Sequence, residues 1–128
     1  MRLLLDTHTI LWWSEDDPRL GAQARRLLSE GEQKILVSPV SAYEMTFKHQ
    51  LGKLPSATAL LADLTGFLEE QNFDTIAVEW RHAELAGRLP IEHRDPFDRL
   101  LIAQALADDL TVISNDTAFD QFGVRRIW

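Results

Sequence analysis

The amino-acid sequence predicts an α/β fold, a three-layer α/β/α sandwich whose central parallel sheet has about five strands. Short apolar runs alternate along the chain with helical patterns, and the connections between them are short. Such alternation favours a parallel sheet covered on both faces, because right-handed crossovers place each helix against the sheet. A length of 128 residues fits a single domain over residues 1–128 and is too short for two.

Five short runs rich in Leu, Ile and Val are predicted to form the strands. Their apolar residues follow one another without polar alternation, which is typical of strands that are buried on both faces. The runs cover residues 2–5, 34–37, 75–78, 110–114 and, more weakly, 124–127.

Between the strands, apolar residues recur at helical spacing. Two of these segments end close to a glycine, Gly31 and Gly52, and glycine is common after a helix because it adopts a positive φ without strain. The predicted helices cover residues 9–14, 20–29, 40–51, 57–70, 80–87 and 96–108.

The composition excludes several classes of protein. The formal net charge of −7 argues against the broad basic surface of a nucleic-acid coat or of a protein held on anionic lipid. The absence of cysteine removes disulfides, thiol nucleophiles and thiolate metal sites. The first apolar run stops at Asp6, too early for a secretory leader, and no run approaches the length of a membrane span. We therefore expect a cytoplasmic protein with no membrane partner.

Acidic residues follow the predicted strands at the points where the strands end. Asp6 follows the first strand, Glu44 lies on the helix after the second, and Asp116 follows the fourth. Asp98 lies near the start of the helix that leads into the fourth strand, on the apolar face of that helix. Because ligands bind outside the carboxyl ends of parallel strands, we expect these four carboxylates to converge at one edge of the sheet.

Each carboxylate also has an ordinary structural interpretation. Asp95 precedes a proline at the start of a predicted helix, as an N-cap does. Glu44 can form an ion pair with Lys48 one turn away, and Asp6 or Asp116 can cap a turn. The expected place of the four carboxylates at one edge of the sheet favours a shared cation site. Without a cation between them, the carboxylates would repel one another and raise one another's pKa.

The residue types point to a hard divalent cation. The chain has no cysteine and no paired-histidine zinc motif, so an all-oxygen set of ligands favours Mg²⁺ or Mn²⁺. Mg²⁺ held by a few carboxylates and water molecules is the usual arrangement for phosphate-ester chemistry. Such an ion also explains how an acidic protein attracts a polyanion.

Four short motifs occur in order along the chain. They are Leu3-Leu4-Leu5-Asp6-Thr7-His8, Ser41-Ala42-Tyr43-Glu44, His93-Arg94-Asp95-Pro96-Phe97-Asp98 and Ser114-Asn115-Asp116. In this order and at these distances they resemble the acidic motifs of PIN-domain nucleases and, more narrowly, of the VapC-type toxins of bacterial toxin–antitoxin pairs. The resemblance covers essentially the whole chain.

This resemblance implies a fold, an activity and partners. It implies the three-layer PIN-like fold, an Mg²⁺- or Mn²⁺-dependent endoribonuclease, a homodimer and a cognate antitoxin that covers the site. Asp6, Glu44, Asp98 and Asp116 match the acidic positions of the family. The expected reaction is hydrolysis of an RNA phosphodiester. Asp6, Asp98 and Asp116 hold the metal, directly or through its water, and Glu44 binds a metal water and orients or deprotonates the attacking one.

Other residues of the motifs match supporting positions. Asp95 is one turn from the acidic position of the third motif and can act on the metal through water. Thr7 can hold a water molecule or a substrate phosphate, and Ser114 stands where the family often has threonine. Arg94 and Arg99 flank the third motif and can contact RNA phosphates, although Arg99 can equally pair with Asp95 at i+4 spacing.

The histidines and tryptophans are assigned structural roles. The four histidines are scattered, and we expect each of them to be a surface or partly buried polar residue. Trp12 and Trp13 are adjacent, so a helix cannot point both rings into the core. We expect one of the two rings to pack against a loop or against the second copy in a dimer.

Two other classes of protein share a strand followed by aspartate. Haloacid-dehalogenase-type phosphatases need a second aspartate two residues after Asp6, where this chain has His8. Receiver-like domains need an aspartate after the third strand and a lysine after the fifth, and no lysine follows Lys53. A PIN fold that serves in RNA processing, or only as a binding module, remains the alternative.

Overall fold

The computed structural model of the protein describes residues 1–128 and has one five-stranded sheet in the order β3-β2-β1-β4-β5. All neighbouring strands are parallel, and β1 lies at the centre between β2 and β4. The predicted parallel sheet of about five strands is therefore confirmed. The strands are β1 (Arg2–Leu5), β2 (Lys34–Val37), β3 (Asp74–Thr75), β4 (Thr111–Ile113) and β5 (Arg126–Ile127).

Seven helices cover the two faces of the sheet. They are α1 (Thr7–Glu15), α2 (Ala22–Glu30), α3 (Pro39–Gln50), α4 (Thr58–Ala62), α5 (Leu64–Glu70), α6 (Trp80–Arg88) and α7 (Pro96–Asp108). Two short 3-10 helices complete the fold, Pro55–Ala57 and Thr117–Phe122. None of the helices combines the length and the apolar character needed to cross a membrane.

The central strand β1 explains why its sequence is a continuous apolar run. Leu3 and Leu5 belong to the hydrophobic core under α1 and α2, whereas Leu4 belongs to the core under α7. All three side chains are completely buried, and each contributes roughly 1.5–3 kcal/mol of hydrophobic free energy. A sheet with a core on each face is the predicted three-layer arrangement.

Several predicted elements are shorter or interrupted in the structure. The strand predicted at residues 110–114 covers Thr111–Ile113, and the one predicted at 124–127 covers only Arg126–Ile127. The strand predicted at residues 75–78 covers only Asp74–Thr75. Ile76 N–H still donates to the Val37 carbonyl at 3.1 Å, but the carbonyls of Ile76 and Ala77 accept from the amide of Gln104 on α7 at 3.3 and 3.2 Å. The predicted helix at residues 57–70 is interrupted at Asp63, whose φ of −153° is not helical and whose carboxylate caps α5.

Of the two expected surroundings for one of the tryptophan rings, a loop or a second copy, the structure shows the first, within the chain. Trp12 is buried, and its ring lies 5.7 Å from that of Trp128 in an edge-on arrangement. Trp13 packs against the same core, and its Nε1 donates to Oε1 of Gln71 at 2.9 Å. The C-terminal Trp128 and α5 therefore cover both rings within one chain.

Candidate active site

A polar cavity of about 430 Å³ lies at the carboxyl edge of the sheet, where β1 and β4 end. The four predicted acidic residues and Asp95 all line it. The parallel sheet brings these residues together from positions more than a hundred residues apart. The lining contains no hydrophobic residue and consists of Asp6, His8, Glu44, Lys48, Asp95, Asp98, Asn115, Asp116 and Thr117.

Asp6 joins the end of β1 to the start of α1. Its side chain accepts hydrogen bonds from the Thr7 backbone N–H at 2.7 Å and from the Ser114 hydroxyl at 2.6 Å. Burial raises the pKa of the Asp6 carboxyl, and the charge of Glu44 adds to that rise, while the two hydrogen bonds oppose it. Ser114, predicted to supply a hydroxyl near the metal, here orients Asp6 directly.

Glu44 is buried on α3 and bonds two polar side chains, those of Thr7 and Lys48. Thr7 donates its hydroxyl to Oε1 of Glu44 at 2.6 Å and lies 3.0 Å from the hydroxyl of Ser41. The Lys48 ammonium pairs with Oε2 of Glu44, as i+4 spacing predicts. Burial alone would lower the pKa of Lys48, but Glu44 and the nearby aspartates raise it. The lysine is therefore a fixed positive charge at an otherwise acidic edge.

Asp98 has a carboxyl whose pKa is raised far above its ordinary value. Burial raises its pKa to about 7, with further contributions from the charges of Asp6 and Asp95, against the opposing hydrogen bond from His93. His93 Nε2 lies 3.1 Å from Oδ2 of Asp98. A carboxyl with a pKa near neutrality is typical of a functional site, because burial and like charges there make its ionised form unfavourable.

Asp95 and Asp116 each cap a helix as well as lining the cavity. Oδ1 of Asp95 accepts from the backbone N–H groups of Phe97 and Asp98, so Asp95 is the N-cap of α7. Oδ1 of Asp116 accepts from Ala118 N–H at 2.9 Å and caps the 3-10 helix that follows. Both residues therefore have the capping role that the sequence suggested, and both also line the cavity.

The two flanking arginines differ in their surroundings. Arg94 is exposed, which is compatible with the predicted phosphate contact. Arg99 instead donates from all three of its guanidinium nitrogens to backbone carbonyls between residues 86 and 93. It forms no ion pair with Asp95, so the structure supports neither role that the sequence suggested for Arg99.

The residues of the cavity are chemically suited to Mg²⁺ or Mn²⁺. Five carboxylates face one lysine, and the raised pKa values of Asp6 and Asp98 indicate negative charge that a cation would neutralise. No three His, Asp or Glu side chains are close enough to hold an ion jointly. Mg²⁺ does not require three, since it commonly binds through one or two carboxylates and keeps several waters.

Two features of the cavity were missed in the sequence. Lys48 was considered only as a surface partner of Glu44, yet it lines the cavity. His93 was assigned a general polar role, yet it contacts Asp98. The signal for His93 was its position five residues before Asp98 in the third motif, within reach of the first turn of α7.

Comparison with known proteins places these observations in a family. The PIN domain family model matches residues 3–124, nearly the whole chain. The chain belongs to the PIN domain family. It is also similar to ribonuclease VapC22 of Mycobacterium tuberculosis, with 26% identity over 115 residues that cover 89% of this chain and 86% of the relative. The PIN family and this relative support a nuclease of the VapC type.

Solved structures show the same PIN fold. VapBC2 from Rickettsia felis, bound to a DNA fragment from its promoter, matches with a TM-score of 0.70 and 17% identity, over 99% of this chain and 98% of the other. FitAcB from Neisseria gonorrhoeae matches with a TM-score of 0.71 and 18% identity, over 98% and 96%. At these identities the likeness concerns the fold.

Proposed function

We propose that this PIN-domain protein is an Mg²⁺- or Mn²⁺-dependent endoribonuclease that hydrolyses RNA phosphodiesters as the toxin of a type II toxin–antitoxin pair. The observation that carries the proposal is the cavity in which five carboxylates surround one lysine at the carboxyl edge of a parallel sheet. The family match and the likeness to a protein named a ribonuclease support the same chemistry.

The aspartates of the cavity are proposed to hold the metal. Asp98 and Asp116 each have only one carboxylate oxygen in a side-chain hydrogen bond, so the other oxygen is available. Asp6 uses both oxygens, accepting from Ser114 and from Thr7 N–H, and these bonds fix its orientation. A bound divalent ion would lower the pKa of a coordinated water and offset charge on the phosphate oxygens.

Glu44 is proposed to orient or deprotonate the attacking water. Its carboxylate is held between the Thr7 hydroxyl and the Lys48 ammonium, so it cannot rotate freely. This fixed position is what a general base needs, because proton transfer depends on hydrogen-bond distance to the water. Thr7 thus supports the reaction through Glu44, and its predicted contact with a phosphate or a water remains part of the proposal.

The acidic surface implies that attraction to RNA is local. The net charge of −7 repels a polyanion over longer distances, particularly at low ionic strength. Around the cavity, Lys48 pairs with Glu44 and Arg99 is occupied by backbone carbonyls. Arg94 is therefore the flanking arginine that we propose as a phosphate contact.

Cleavage of a single-stranded RNA that carries a fluorophore and a quencher tests the activity. Wild-type protein with Mn²⁺ is expected to release fluorescence, and EDTA or Asp6→Asn should abolish it. Asp109→Asn serves as the control, since Asp109 is an exposed carboxylate at a left-handed position that asparagine tolerates. RNA binding without cleavage under any divalent metal would favour the alternative, a PIN fold that only binds or that assists RNA processing.

We further propose two protein partners, a small cognate antitoxin in the cytoplasm and a second copy of this chain. The likeness to VapBC2 supports the antitoxin. An exposed aromatic surface supports the homodimer. Tyr43 and Phe47 are 62% and 44% exposed and their rings are in contact, and Tyr43 lines an apolar groove with Phe97 and Val78. Light scattering at micromolar concentration should therefore give twice the monomer mass.

A further inference from the structure

Arg99 lies directly after Asp98 on α7, and its side chain turns away from RNA toward the protein. Its Nε, Nη1 and Nη2 atoms make six hydrogen bonds to backbone carbonyls, at 2.6–3.4 Å. Arginine carries five N–H donors in a rigid planar fork, and each of the three nitrogens is engaged here. The acceptors, named here the 86–93 carbonyl cluster, belong to Ala86, Gly87, Leu89, Pro90 and His93.

This cluster contains groups that a helix cannot satisfy by itself. The last four carbonyls of a helix have no partner within it, and α6 ends at Arg88. Arg99 supplies donors to Ala86 and Gly87 in the last turn of α6 and to the chain that leaves it. A single side chain therefore fixes the course of the segment from α6 to His93.

The last bond of the cluster places His93. Nη1 of Arg99 donates to the His93 carbonyl at 2.6 Å, while the His93 ring lies edge-on to Phe122 at 6.0 Å. Held at its backbone and on one side of its ring, His93 directs Nε2 to Oδ2 of Asp98 at 3.1 Å. Arg99 thus contacts His93, and His93 contacts the carboxylate of Asp98, the residue that precedes Arg99 in the sequence.

We propose that Arg99 and His93 are positioning residues for Asp98. Arg99 fixes the backbone of His93, and the Nε2–H of His93 donates to Oδ2 of Asp98, which leaves Oδ1 as the oxygen that acts in the cavity. The inference rests on the proposed function for its catalytic consequence, whereas the contacts themselves do not depend on it. It excludes a phosphate contact by Arg99, because every guanidinium nitrogen is already bonded to the protein.

Kinetics of His93 variants test the contact with Asp98. His93→Ala removes the donor and should lower kcat by about tenfold or more, the usual loss when a side chain that orients a ligand is removed, with KM nearly unchanged. His93→Gln retains an N–H donor at a similar reach and should recover most of that loss. Equal loss in both variants, or a change confined to KM, would overturn the positioning role of His93.

A double-mutant cycle tests whether Arg99 acts through His93. Arg99→Lys offers three donors at one point and cannot bridge the cluster, so kcat should fall about as much as in His93→Ala. Combining the two changes should then cost little more than either alone, whereas independent roles would multiply the losses. Arg88→Ala is the control, because Arg88 is an exposed arginine in the last turn of α6 and should leave kcat unchanged.

NMR on the wild-type protein and two variants distinguishes this proposal from the proposed function. In EDTA, NMR should show the Arg99 Nε–H protected from exchange and unshifted when the single-stranded RNA is added. It should also show the His93 ring resonance moving in Arg99→Lys but not in Arg88→Ala. A rapidly exchanging Arg99 Nε–H, or one that shifts with RNA, would refute the bonding of Arg99 to the 86–93 carbonyl cluster. This result would hold whether or not the protein cleaves RNA.

Discussion

Each end of α7 carries an aspartate paired with a histidine, but the pKa values of the two aspartates are shifted in opposite directions. At its start, Asp98 pairs with His93, and at its end Asp108 pairs with His82 at 2.8 Å. The exposed fractions of the two aspartates are similar, 17% and 15%. Yet the pKa of Asp98 is raised to about 7 whereas that of Asp108 is lowered.

Burial and the neighbouring groups together account for this difference. Burial raises the pKa of Asp98, and Asp6 and Asp95 raise it further. Burial acts in the same direction at Asp108, but hydrogen bonds from Arg81 and His82 outweigh it. Asp108 is therefore a satisfied structural acid, whereas Asp98 is held in an environment that a cation would relieve. A His–Asp pair does not by itself identify a site, and the surrounding charges decide.

The largest expected difference between the two ends of α7 is the effect on activity of replacing each aspartate by asparagine. Asp98→Asn is expected to lower kcat with saturating Mn²⁺ by about a hundredfold or more, because it removes a charge proposed to hold the metal. Asp108→Asn should retain the rate and cost about 1 kcal/mol of stability through its weaker bonds to Arg81 and His82. Cleavage of the quenched RNA and matched urea unfolding curves measure both, and equal rates for the two variants would remove Asp98 from the site.

Of the two ends of α7, only the start should take part when a divalent metal stabilises the protein. At a hundredfold excess over its Kd, Mn²⁺ is expected to add about 2.7 kcal/mol to the free energy of unfolding. Asp98→Asn should lose most of this gain, and Asp108→Asn should keep it. In EDTA, Asp6→Asn should melt above the wild type, since it relieves repulsion among the carboxylates. Melting curves without any response to Mn²⁺ near neutral pH would contradict a shared metal site.

The two aspartates should also give stability opposite dependences on pH. The folded pKa of Asp98, about 7, lies above its unfolded value, so in EDTA its contribution to stability declines as pH rises from about 4 to about 7. The lowered pKa of Asp108 contributes stability above about pH 4 that is lost as pH falls through the folded value. Urea unfolding from pH 3 to pH 8 should show Asp98→Asn flattening the neutral slope and Asp108→Asn the acid slope.

The smallest effect is expected at Asp95, which shares the start of α7 with Asp98. Asp95→Asn keeps an oxygen that can accept from Phe97 and Asp98 N–H, so stability should change by only a few tenths of a kcal/mol and cleavage should survive. The same two assays apply. An inactive Asp95→Asn beside a fully active Asp98→Asn would mean that the metal site has to be built around Asp95.

Much of the fold was predictable because local pattern and burial agree. β1, β2 and α7 have the predicted bounds, since their apolar residues are buried in one of the two cores. The third strand was overestimated, and the carbonyls of Ile76 and Ala77 accept instead from Gln104, which is distant in sequence. No pattern within residues 75–78 contains that information.

In the candidate site, too, some features were predictable from the sequence and others were not. The carboxylates were predictable, because residues that follow parallel strands meet at one edge of the sheet. The contacts of Arg99 were not, since its partners are backbone carbonyls, which every residue carries and no sequence motif marks. An arginine beside an acidic motif in a proposed nuclease suggests phosphate binding, and only the three-dimensional course of residues 86–93 shows otherwise.

The central place of β1 has a consequence for the order of assembly. Asp6 N–H donates to the Ile113 carbonyl, and its carboxylate accepts from Ser114, 108 residues later. At about 5–20 residues per second, the ribosome makes Asp6 roughly 5–20 s before Ser114. During that interval the chain has no complete catalytic cavity, and contacts so distant in sequence also form slowly. If the proposed ribonuclease activity needs Asp6 in this orientation, it should therefore arise only when the last part of the chain has been made.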